Sequence, residues 1–232
     1  MMEKILKEHG FEVTCGAGEL PTAYEAVYGT GSPVIGLLAE YDALDGLSQK
    51  ADSTVHEPRP ETTHGHGCGH HLLGTGEIGA ALALKDYLAD HPGCGTLKVF
   101  GCPAEEGGSG KTYMARAGVF DGIDIALTWH PSTMNAAMTG SLLANCQAYF
   151  RFHGKSSHAG AAPQKGRSAL DALELMNVGI NYLREHMEMT DRIHYAITNS
   201  GGVSPNVVQA EAEGLYLVRS RNNETVKELY RR

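Results

Sequence analysis

PVIGLLAEYD, residues 33–42, is a near-continuous apolar run closed by acids. TLKVFGCP (96–103) and DIALTWH (124–130) have the same form. Short apolar runs closed by polar residues suit strands buried on both faces of a parallel sheet. Between them, GEIGAALALKDYLAD (76–90) is rich in Ala and Leu and predicts a helix. SGKTYMARA (109–117) predicts another, stopped by Gly118. Strands alternating with helices imply an α/β sheet.

The texture changes near residue 144. NCQAYFRFHG alternates like a strand with one exposed face, and SALDALELMNVGINYLREHM (168–187) is a long amphipathic helix. IHYAITNSGG and EAEGLYLVRS read as two more strands, and NNETVKELYRR starts a final helix. Asn223 is its expected cap, with Thr225 a weaker alternative. A strand-helix-strand-strand-helix order suits a small α+β sandwich. The expected division is therefore 1–143 and 144–232.

At 232 residues the chain holds one large domain or two small ones. Its net charge is −8 and its Lys and Arg are scattered, which argues against a nucleic-acid partner. No stretch approaches the roughly 18 to 20 apolar residues of a membrane span. MMEKILKEHG at the start mixes charges and does not read as a signal peptide. The five cysteines are odd in number and never form C-x-x-C. That spacing excludes a cysteine-only zinc ribbon and disfavours a secreted disulfide framework. A cytoplasmic protein with reduced thiols is expected.

Ligands of doubly wound sheets sit beyond the carboxyl ends of the strands. Four features fall at such places: Glu40-Tyr41-Asp42, THGHGCGHH (63–71), Pro103-Ala104-Glu105-Glu106 and Trp129-His130-Pro131. Each alone has a plain explanation as a turn, a cap or a structural histidine. Their arrival at one sheet edge is harder to obtain by accident. Zinc or manganese needs three to five N, O or S donors, and a catalytic site keeps a position open for water. His64, His66, Cys68, His70 and His71 are all of donor type, and no single ion takes them all. Of two adjacent glutamates, one can bind metal while the other stays free to move a proton. A thiolate shared by two ions relieves their repulsion.

The order of GLLAEYDAL (36–44), GHGCGHHLLGTG (65–76), GTLKVFGCPAEEGGSGK (95–111), LTWHP (127–131), GKSSHAGAAP (154–163) and GGVSPNVVQ (201–209) resembles a known family. It is that of the co-catalytic metal amidohydrolases: aminoacylases, glutamate carboxypeptidases and desuccinylases, peptidase family M20. The branch most similar contains p-aminobenzoyl-glutamate hydrolase and the indole-acetyl-amino-acid hydrolases. The resemblance implies a partial zinc-peptidase-like catalytic domain with a mostly parallel sheet, and an inserted lid and dimerisation domain. It implies two divalent ions, zinc or manganese, with Cys68 bridging and His70, Glu106 and His130 as further ligands. Glu105 would be the general base, and Asp42 would orient a ligand histidine. His66 falls beside the ligands, and His64 and His71 at the rim. Cys68 and His70 are expected on alternate positions of an extended loop, facing the same way.

The same resemblance implies a homodimer through the second domain, sending His158 to the partner's active site, with Asn206 contacting substrate. The implied substrate is an N-acyl or N-aroyl amino acid, p-aminobenzoyl-glutamate-like, or a dipeptide. Two departures stand out: Asp45 where branch members carry Pro, and His71 where many carry Asp or Asn. Relatives continue with a segment bearing one more metal-binding histidine, whereas no histidine follows His194 here. The chain alone is therefore expected to be weakly active or inactive. The competing reading is an inactive metal-binding, dimerising fragment. A structural zinc site in the histidine loop would leave the Glu pair unexplained.

Overall fold

In the computed structural model, which describes residues 1–138 and 140–232, the chain divides into two units, Met1–Ala136 and Ala137–Arg232. The described residues between 131 and 143 carry no helix or strand.

The first unit runs α1 (Met2–Glu8), β1 (Glu12–Cys15), β2 (Tyr24–Gly31), β3 (Val34–Glu40), α2 (His70–Asp90) and β4 (Cys94–Cys102). It continues through α3 (Glu105–Gly108), α4 (Gly110–Arg116) and β5 (Ile125–Leu127). The sheet order is β1-β2-β4-β3-β5. β3 pairs in parallel with β4 and with β5, as the apolar runs predict. β1 and β2, for which the sequence reading has no element, add an antiparallel pair at the other edge, so the sheet is mixed.

Burial on both faces explains the continuous apolar runs. Leu37, Leu97 and Val99 pack beneath Leu6 of α1 and Ile78, Ala81 and Leu88 of α2. Phe100 and Cys102 face the opposite way, against Met114 of α4. Successive β4 residues thus serve two cores, as the period of two in a strand requires. Truncating the fully buried Leu97 to Ala should cost about 2–5 kcal/mol. The third run departs from expectation. β5 is a three-residue edge strand with Ile125 and Leu127 exposed, because it has a neighbour on one side only.

The second unit contains β6 (Ala144–His153), α5 (Ala169–Leu183), β7 (Arg192–Asn199), β8 (Glu211–Ser220) and α6 (Asn223–Arg231). Its antiparallel sheet has the order β6-β8-β7. Leu173 of α5 and Leu229 of α6 share a core with Ile193, Tyr216 and Val218 of the sheet. β6 alternates half-buried and exposed residues along its whole length, the signature of one covered face. Ser168 caps α5, its Oγ accepting the Asp171 N–H at 3.0 Å. The cap of α6 is Asn222, not Asn223. Its Oδ1 accepts the Thr225 N–H at 2.9 Å, and Asn223 already has helical backbone. Among the described residues no helix is long and apolar enough to cross a membrane.

Candidate metal centre

Because β3, β4 and β5 are parallel, their carboxyl ends open at one edge. Glu40 ends β3 and Asp42 follows by two residues. Glu105 and Glu106 begin α3 just beyond β4, and His130 follows β5. Helix α2 starts at His70, earlier than the expected residue 76, so Cys68 and His70 do not lie on an extended loop. Gly69 between them is left-handed at φ 81° and serves as the N-cap. A Cβ there would stand 2.7 Å from Pro131, beside His130. Two constraints thus select glycine: a backbone that disfavours side chains, and a close approach. Ala104 is also left-handed, φ 56°, a conformation that costs a non-glycine residue about 1–2 kcal/mol. It turns the chain sharply after Pro103 and into the Glu pair.

His70 is fully buried at the middle of the cluster. Its Nδ1 lies 3.0 Å from Asp42 Oδ1. An ionised carboxylate only accepts, so Nδ1 carries the proton and Nε2 presents a lone pair. Around that Nε2 stand Glu40 Oε2 at 3.1 Å, Glu105 Oε2 at 3.8 Å and Glu106 Oε1 at 3.8 Å. Asp42 Oδ2 accepts the Glu106 backbone N–H at 2.9 Å. One aspartate therefore positions both the histidine and the glutamate turn. Donor atoms of Cys68, His70 and His130 lie within 4.8 Å of one another, as do those of Glu40, His70 and Glu105.

Burial, then the Glu40 charge, raises the Glu105 carboxyl above its ordinary value. The Cys68 thiol is likewise raised, by burial and then by the Glu106 carboxylate. Deeper in, burial and then the Glu40 charge push Glu77, on α2, up to about 7. Among the described residues, Glu40 Oε2, His70 Nε2 and Glu106 Oε1 are buried without a hydrogen-bond partner. Orphaned acceptors of this kind are costly unless a cation satisfies them. Mixed N, O and S donors converging on them fit a divalent ion.

Of the residues expected at the site from sequence, Asp42, Cys68, His70, Glu105, Glu106 and His130 converge in the first unit. His66 is exposed, its ring 4.9 Å from His71, and desolvation holds its pKa below the ordinary value. His64 is exposed beside Asp45. In the second unit, His158 bridges Val207, and the Ala159 N–H donates to Asn206 O at 2.9 Å. His158 and Asn206 thus share one pair of adjacent backbones. Sequence reasoning gave no role to Glu40 or to Lys111, which pairs with Glu40 Oε1. The available signal was an acid ending a doubly buried strand.

Residues 142–232 match the family model described as the peptidase dimerisation domain of M20. The chain is 52% identical over 227 residues to a p-aminobenzoyl-glutamate hydrolase of Escherichia coli, covering 98% of this chain and 47% of that protein. It is 35% identical to the Xaa-Arg dipeptidase of Mus musculus, covering 87% of this chain and 44% of that one. It therefore spans about half the length of these curated relatives. Two solved structures share the fold. An aminobenzoyl-glutamate utilization protein from Klebsiella pneumoniae aligns with a TM-score of 0.62 at 18% identity, over 99% of this chain and 63% of that one. A dinuclear metal binding peptidase of Bacillus subtilis, from the M20 family, aligns at 0.58 and 23%, over 98% and 59%. The chain belongs to the M20 peptidase family, and residues 142–232 are its dimerisation domain.

Proposed function

We propose that the protein is a metal-dependent amidohydrolase acting on N-acyl or N-aroyl amino acids, with a p-aminobenzoyl-glutamate-like amide as substrate class. The observation that carries this reading is the buried His70 Nε2, unpartnered and surrounded by glutamates, with Cys68 and His130 in reach. The name of the Escherichia coli relative supports the substrate class, and the Bacillus subtilis neighbour supports a pair of ions. Cys68, His70, Glu106 and His130 would hold two divalent ions, zinc or manganese, with Cys68 shared. When bound, such ions polarise the scissile carbonyl and acidify water.

The chain's own residues supply the rest. Glu105 is more exposed than its neighbour Glu106, and its raised carboxyl is suited to take a proton from water. It then passes that proton to the leaving amine. His158 Nδ1 accepts the Gly160 and Ala161 N–H groups at 3.2 and 3.0 Å. Its Nε2 therefore carries the proton and faces outward as a donor, suited to an oxyanion or a substrate carboxylate. Asn206 offers a second donor nearby. In a homodimer built on the dimerisation domain, these groups would be delivered by the partner copy.

Metal-loaded protein should release p-aminobenzoate from p-aminobenzoyl-glutamate. Glu105→Gln should keep its metal yet lose about 10²–10⁴-fold in rate. Metal loss in that variant would make Glu105 a ligand instead of the base. A second reading is a metal-binding and dimerising unit without turnover of its own. Under it, wild type and Glu105→Gln bind metal alike and are equally inactive.

A further inference from the structure

We propose that Glu40 is itself a metal ligand, held in place by Lys111. This rests on the metal-dependent reading above and adds a carboxylate that the motif resemblance does not supply.

Glu40 is 2% exposed, yet its two oxygens have different surroundings. Oε1 is taken by the Lys111 ammonium, from α4. Oε2 lies 3.1 Å from His70 Nε2 and 3.1 Å from His130 Nε2. These separations are short enough for hydrogen bonds, but among the described residues neither Glu40 Oε2 nor His70 Nε2 has one. The oxygen lies off the direction of a ring N–H on His70. The Asp42 contact, moreover, already assigns the His70 proton to Nδ1. Two buried acceptor atoms thus lie 3.1 Å apart with neither satisfied, which is unfavourable unless something positive stands near both. Ligands bound to one ion at about 2.0–2.2 Å stand roughly 3 Å apart at octahedral angles and roughly 3.3–3.6 Å apart at tetrahedral ones. The Glu40–His70 and Glu40–His130 separations, 3.1 Å each, lie near that range.

Charge leads to the same assignment. Glu40, Asp42, Glu105 and Glu106 surround His70, and Lys111 is the cation paired with Glu40. Lys111 holds Oε1 and so fixes the Glu40 rotamer, leaving Oε2 beside the histidines. It acts through Glu40, as a positioning residue.

The test is cobalt and zinc binding to the purified full chain, read by chelator competition, metal content and the visible cobalt spectrum. Glu40→Gln should raise the zinc Kd by about tenfold or more and shift the cobalt bands. Lys111→Met should weaken binding by a smaller factor. Glu40→Asp keeps the charge but shortens the reach, so it decides the question if Glu40→Gln does not fold. A purely structural Glu40 would instead lower the Tm of the metal-free protein and leave the metal-induced rise intact. An unchanged Kd and spectrum in the folded Glu40 variants, with Cys68→Ser impaired, overturns this proposal alone. No metal uptake by wild type overturns the amidohydrolase reading and this one with it.

Discussion

Asp42 and His70, 28 residues apart in sequence, meet at 3.0 Å, and that contact sets which nitrogen of the buried histidine is free. The other Asp42 oxygen accepts the Glu106 N–H. Asp42→Asn can satisfy only one of these donors, because its amide nitrogen would confront the other. Metal affinity should fall about 10–100-fold, as measured by zinc titration against a competing chelator. Unchanged affinity would show that His70 is oriented by packing alone.

Gly69→Ala places a side chain on a left-handed backbone, with its Cβ against Pro131. The backbone term alone is about 1–2 kcal/mol. Thermal unfolding of the metal-free protein should show the loss. Metal content should also fall, since the substitution displaces the joint between Cys68 and His70. A variant with wild-type Tm and metal content would refute the argument.

Glu77 carries a pH signature. Its carboxyl is raised from 4.5 to about 7, so between those values the folded state holds a proton that the unfolded state has released. Stability contributed by this group therefore falls as pH rises from about 4.5 to about 7, and the full penalty persists above that. The difference between those two values corresponds to a penalty on the order of 3 kcal/mol. Glu77→Gln should be more stable than wild type at pH 8 and lose that advantage at pH 5, in urea unfolding of metal-free protein. Equal midpoint differences at both pH values would contradict it.

On α5, Leu175, Val178 and Tyr182 are 72%, 47% and 67% exposed and recur at helical spacing. Such a stripe in a dimerisation domain is the natural place for a second copy to pack. Leu175→Glu should raise the dimer dissociation constant at least about tenfold, or about 1.4 kcal/mol, without lowering monomer stability. Sedimentation velocity across a concentration series measures it. A variant that dimerises like wild type places the interface elsewhere.

The runs at 33–42 and 96–103 were legible because burial on both faces of a sheet writes continuous apolar sequence. Edge position is not written that way, and β5 shows it: the run at 124–130 reads like a central strand but leaves Ile125 and Leu127 exposed. The start of α2 was hidden for another reason. Its first turn is His-rich and glycine-spaced, and its cap is a left-handed Gly69 with no side-chain hydrogen bond to announce it.

The alternation of strands and helices, the family resemblance and the residue types able to bind metal are all written in the chain's local order. Those follow from local patterning and from the order of short motifs. Which donors meet is a property of the folded chain, because the contacts join distant segments. Lys111 reaches Glu40 across 71 residues, and Glu106 reaches Asp42 across 64. The fold also decides that His70 Nε2 is free. A tautomer depends on what sits beside the other nitrogen, and here that is the Asp42 carboxylate, just beyond the end of β3.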